Sequence, residues 1–168
     1  MQGRFALAGL AFLFACGDDA VVVTVADAGP PTVELGSGDR EFEELRDGNT
    51  ILIVQGPQDG YHFFGSLRAT NVNAGDSEDL TDPTNPTSTF EVFVGTDRVD
   101  AMASMYTQGL RVSERGAEMI GRNVILDIQD DSELDGVTVR FLVSVDDIDG
   151  VSVSDERTLI ARPHPNNQ

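Results

Sequence analysis

The sequence predicts an all-β domain folded as a sandwich or barrel, and three observations carry that expectation. Apolar residues recur at every second position in short runs. The clearest run places Val137, Val139, Phe141, Val143 and Val145 on one face, with Thr138, Arg140, Ser144 and Asp146 on the other and Leu142 as the exception. Phe90, Val92 and Val94 repeat the pattern, as do Val124, Leu126 and Ile128. Such runs return about every ten residues, with Gly, Asp and Asn between them. Breakers also fall where hairpins need residues that tolerate positive φ: Asp47-Gly48-Asn49, Gly56 to Gly60, and Asp149-Gly150.

Taken in order, residues 1–15 read as an address. Arg4 is the only charged side chain before an apolar run from Phe5 to Ala15. That run is too short to cross a bilayer core of ~30 Å as a helix, which needs about 20 apolar residues. A basic start followed by a short apolar run is the pattern of a secretory signal peptide. Residues 16–31 form an acidic tether ending in Gly29-Pro30-Pro31, within which Val21–Val25 is strand-like and could instead pair with a domain edge. The domain spans 32–163. Its expected strands are 32–35, 41–45, 51–55, 61–70, 89–95, 110–113, 123–128, 137–146 and 156–162. Asn71–Ser88 is a loop, because Pro83 and Pro86 cannot donate to a ladder. Residues 99–106 fit a helical turn or a strand equally. Residues 164–168 form a tail.

Two resemblances add to this reading. Leu13-Phe14-Ala15-Cys16 resembles the lipobox of bacterial lipoproteins, although the middle position is more often small than Phe. The resemblance implies cleavage before Cys16, lipid on its sulfur, and a membrane partner held through that lipid. Gly17, not Asp, follows the cysteine, which in the enterobacterial sorting pattern implies the outer membrane, at its periplasmic face or the cell surface. The segment from Val137 to Ala161 resembles the last hairpin of immunoglobulin-like extracellular modules such as PKD and fibronectin type III domains. It implies an antiparallel immunoglobulin-like β-sandwich without the Cys…Trp…Cys core of antibody domains.

Composition narrows the chemistry. Formal net charge is −18, and the eleven basic residues are all arginine. That balance argues against nucleic acid and against electrostatic adhesion to anionic lipid. A single cysteine excludes a disulfide framework. Asp146, Asp147, Asp149 and Glu156 are the calcium candidates. An EF-hand is rejected because Val145 occupies its first position and the flanks are strands. Asp130–Gly136 is a second acidic turn. The alternative for both is an ordinary hairpin turn with solvated acids. His62 and Phe64 share a strand face and are candidates for ligand contact, while His164 lies in the tail between prolines. Neither histidine has a partner at metal-ligand spacing, and no Gly-x-Ser-x-Gly elbow occurs. The expected function is therefore a non-catalytic envelope lipoprotein, a binding or structural module for a protein or glycan partner, with no cofactor. The alternatives are a small envelope hydrolase and a calcium-dependent recognition module.

Overall fold

The computed structural model describes residues 29–101 and 104–167. The signal peptide, Cys16 and residues 17–28 of the tether lie outside the described residues, as do Met102 and Ala103. Eleven strands follow: β1 (Thr32–Ser37), β2 (Glu43–Glu44), β3 (Thr50–Gln55), β4 (Tyr61–Thr70), β5 (Thr87–Val94), β6 (Asp97–Arg98), β7 (Ser104–Thr107), β8 (Arg111–Ser113), β9 (Gly116–Ile125), β10 (Thr138–Asp146) and β11 (Ser152–Pro163). A single 3-10 turn, Asp131–Glu133, is the only helical element among them.

These strands make two layers. In the first, β4 lies between β9 and β1, with β8 beyond β9 and β2 beyond β1. In the second, β10 lies between β5 and β11, and β6 and β7 share the outer edge of β5. β3 belongs to both. Its residues Thr50 to Ile53 pair in parallel with Ile160 to Pro163 of β11, and then Val54 and Gln55 pair antiparallel with His62 and Tyr61 of β4. This is an all-β sandwich, in which β1 and β3 run along one edge of β4 and β3 is shared by both layers. The expectation of a wholly antiparallel sheet is corrected at one pair, β3 with β11. Parallel neighbours need a long connection, and here nearly the whole domain separates the two strands.

The core forms where the alternating faces meet. Val139, Phe141, Val143 and Val145 are fully buried, while Thr138, Arg140 and Asp146 are exposed. The Phe141 ring centroid lies 5.9 Å from that of Phe63 and 6.0 Å from that of Phe90. Gly65 makes room for this cluster, since a Cβ there would sit 2.9 Å from the Phe90 ring. β9 carries one extra residue against β4 near Gly121, whose φ is +67°. The bulge exchanges the faces of β9, so Ala117 and Met119 point inward on one side of it and Val124 on the other. Ser66 ties the bulge down. Its Oγ accepts from Gly121 N–H at 3.0 Å and donates to the Gly38 carbonyl at 3.1 Å.

Several boundaries differ from expectation. β9 begins at Gly116 and β11 at Ser152, earlier than their apolar patterns suggest. The described parts of the ambiguous segment pair as strand: Asp100 bridges to Leu126 and β7 pairs with β5. The tail is docked. Asn167 Nδ2 donates to the Ile53 carbonyl at 2.9 Å and to Asp131 at 2.7 Å, and its Oδ1 accepts from Gln55 N–H at 3.0 Å.

Truncating a buried Phe to Ala costs ~3–5 kcal/mol, whereas surface changes usually stay within about 0.5 kcal/mol. Phe141→Ala should therefore lower the melting temperature sharply or unfold the domain. Arg140→Ala, one position along on the exposed face, should lose only a contact over Phe93 and a 3.8 Å ion pair with Glu156. Thermal melts followed by circular dichroism check this; equal sensitivity would place the wrong face inside.

Candidate functional site

A groove opens where β1 and β3 part along the same edge of β4. It encloses about 530 Å³. Leu45, Leu52, Val54 and Phe64 supply apolar wall, Asp39, Glu43 and Glu44 an acidic rim, and His164 a closing side chain from the docked tail. The sequence brings this about simply. Ile51 and Ile53 point into the core, so Leu52 and Val54 must point out. Phe64 reaches the groove, as its position on β4 suggests, but His62 does not line it.

His62 lies beneath. It is 6% exposed, packs edge-on against Phe64 at 5.0 Å between centroids, and sits near Gly56, where a Cβ would come within 3.7 Å of its Nδ1. Burial holds its pKa below the ordinary histidine value by penalising the charged imidazolium. A neutral ring against a phenyl face is a packing residue.

The acidic turn after β10 is a capping device. Asp147 accepts from Asp149 and Val151 N–H through Oδ1, at 2.9 Å each, and from Asn73 N–H through Oδ2 at 2.8 Å. Asn73 also donates to Asp149 at 3.0 Å. Asp147 and Asp149 therefore pin the loop after β4 to the β10–β11 turn. Asp146 is exposed at the strand end opposite Ser152, and Glu156 stands opposite Leu142, four positions back along β10. At ~3.4 Å per residue that is roughly 13 Å, so the four candidates do not converge on one ion. The turn at 130–136 is similar in kind. Asp130 accepts from Ser132 N–H, its pKa is lowered by hydrogen bonds from the Ser132 hydroxyl and then its N–H, and Glu133 accepts from Gln129 and Asp130 N–H. No group of three or more His, Cys, Asp or Glu side chains is placed to hold a metal among the described residues.

The long loop, residues 71–86, is built by the same chemistry. Asp79 and Asp82 accept from Thr81 and Thr84 respectively, and the hydrogen bond from Thr81 lowers the Asp79 pKa. Buried Asn85 plugs the centre, accepting from Asp76 N–H at 2.9 Å and donating to the Asp79 carbonyl at 2.8 Å. Sequence reasoning singled out neither Asn85 nor buried Asp100. Asp100 accepts from Val92 N–H at 2.9 Å and pairs with Arg98 at 2.6 Å. The Arg98-x-Asp100 spacing was the available signal. No protein-family model, curated protein or solved structure matches the chain.

Two expectations follow. The native state holds His62 neutral, so the unfolded chain binds the proton first as pH falls below ~6.5. His62 should therefore withdraw stability between pH 7 and 5. In urea titrations, His62→Gln should show a flatter loss over that window than wild type; parallel slopes would contradict it. Hydrogen bonds to a charged group contribute ~1.5–3 kcal/mol. Asp147→Ala should lower unfolding free energy by at least about that much, against near-neutrality for exposed Asp146→Ala in the same titration.

Proposed function

We propose that the chain is a non-catalytic envelope module, carried on a lipid at Cys16 and acting through the surface of its sandwich. The observation that supports a non-catalytic role is how three of its buried polar side chains are employed. Ser66 spans Gly38 and Gly121, Asn85 fills its own loop, and Asp100 is bound to Arg98 and a strand amide. Each is consumed by structure. A hydrolase instead needs a nucleophile, a base and an orienting group that converge on one cleft. His62 meets a phenyl ring, and His164 accepts the Asn166 N–H through Nδ1 at 3.1 Å, where a catalytic histidine would donate to an orienting carboxylate. An open amphipathic groove suits a ligand that is held, not transformed.

The lipid rests on the Leu13-Phe14-Ala15-Cys16 resemblance. A spacer leading from Cys16 would join the domain at Gly29 and Pro30, whose carbonyls accept from Asn71 at the end of β4. Each buried acyl CH₂ contributes ~0.8 kcal/mol, so two or three chains anchor a domain stably without a spanning helix. The test is intact mass of the mature protein. The expected chain begins at Cys16 and carries diacylglyceryl and acyl mass, and Cys16→Ser leaves the membrane fraction or accumulates unprocessed. An unmodified chain beginning elsewhere contradicts the anchor.

A further inference from the structure

We propose that a second groove, on the outer face of the β4–β9–β8 layer, binds an extended acidic peptide segment of a partner protein. The groove encloses about 470 Å³ between the Asp39–Phe42 connector and the β8–β9 hairpin. Arg68 forms its floor. Its guanidinium lies 4.1 Å from the Phe42 ring centroid, donates to Glu118 at 2.8 Å and stands 3.5 Å from Glu34. Exposed Arg40, Arg111 and Arg115 stand around it.

Charge makes this cluster unusual. The chain carries 29 acids against 11 arginines, so an arginine left without a carboxylate is the exception. Apart from Arg4, all of them lie among the described residues. There, all but Arg111, Arg115 and Arg122 have a carboxylate within ion-pair distance. Arg122 instead lies 5.5 Å from the Tyr106 ring centroid. The remaining two face the same groove. Glu118 is the cross-strand partner of Arg111, yet it is bonded to Arg68. Glu41 and Glu114 also line the groove, so the field is modest and binding should weaken readily with salt.

Strand β8 supplies the second observation. Among the described residues it pairs with β9 alone, so its far edge is open. An added extended segment gains main-chain hydrogen bonds there, and its side chains alternate between the two faces. One face carries Arg111; the other carries Val112, which is 40% exposed. The recognised segment is therefore one in which acidic and apolar residues alternate. A glycan would want a free aromatic platform, and Phe42, the one aromatic of this groove, is covered by Arg68.

The inference deepens the non-catalytic reading and rests on it for one point, that the peptide is held and not cut. The experiment titrates the full-length protein into a fluorescent octapeptide of alternating glutamate and valine, read by anisotropy at low and high salt. Saturable, salt-weakened binding is expected. Arg111→Glu with Arg115→Glu should weaken it at least about fivefold, and Arg111→Gln with Arg115→Gln by less. Arg46→Glu with Arg162→Glu, equal in charge change but outside the groove, should leave it unaltered. Thermal melts of each variant separate folding from binding. No saturable binding, undiminished binding by the first variant, or equal binding of a lysine–valine octapeptide overturns the proposal; the arginines then only guard an edge strand. Tighter arginine-dependent binding of polygalacturonate overturns the peptide assignment. Arginine-dependent self-association in sedimentation overturns the assignment to another protein. Mass spectrometry of the recovered peptide keeps the two readings apart: cleavage refutes the non-catalytic role even where arginine-dependent binding holds.

Discussion

The two edges of β11 constrain everything around them. β10 takes one edge from Ser152 to Ile160. The other is divided. Ile160 to Pro163 pair with β3, and the stretch before them is closed by side chains. Asp155 accepts from Leu35 N–H at 2.8 Å and is paired with Arg157, whose Nε donates to the Leu45 carbonyl at 3.0 Å. Gly48 N–H donates to the Thr158 carbonyl at 2.7 Å, and Asp47 accepts from Thr158 N–H at 2.8 Å. An edge that would otherwise invite another strand is thus filled by β1, the connector after it and β3. The parallel ladder runs one step past Pro163, where the His164 N–H donates to the Ile53 carbonyl at 2.9 Å. β3 leaves β11 there and joins β4, which fastens the two layers along one side. The parting of β1 from β3 is also what opens the larger groove over Phe64.

Much of this was legible in the sequence where one face of a strand is buried. The Val139 to Val145 alternation gave β10 and its core face, because period-two patterning and burial have the same cause. β9 was half legible. Its N-terminal half is apolar on the opposite parity, and the Gly121 bulge hides that change from any fixed-period reading. The first half of β11 is polar because both its faces are partly solvated and its free edge is closed by Asp155 and Arg157, so no apolar pattern marks it. β6 and β7 are short and sit side by side on one strand, a placement set by β5 and not by local preference. The 56–60 turn also departs in detail: Asp59, not a glycine, takes the positive φ of 58°.

The sites were less legible, for a related reason. Carboxylates that look alike in sequence differ in what they meet. Asp147 is tied up by three backbone N–H groups and Asp146 by none of these, although they are neighbours. Phe64 lines a groove and His62 lies under it, although they share a face. What separates them is the connector after β1 and the docked tail, both distant in sequence. The arginines make the same point. Their spacing along the chain carries no motif, and only pairing β8 with β9 and β9 with β4 brings Arg68, Arg111 and Arg115 to one surface.

The central structural claim is that β3 and the filled edge of β11 fasten both layers into one cooperative unit. Native-state hydrogen exchange measures this most directly, since it assigns each amide an opening free energy. The backbone amides of β3 and of Thr158 to Ala161 should exchange with the same free energy as the centres of β4 and β10, and all should fall together as denaturant rises. If β3 and the end of β11 open at markedly lower free energy while β4 and β10 stay protected, the layers are held by the core alone and the account of the seam is wrong.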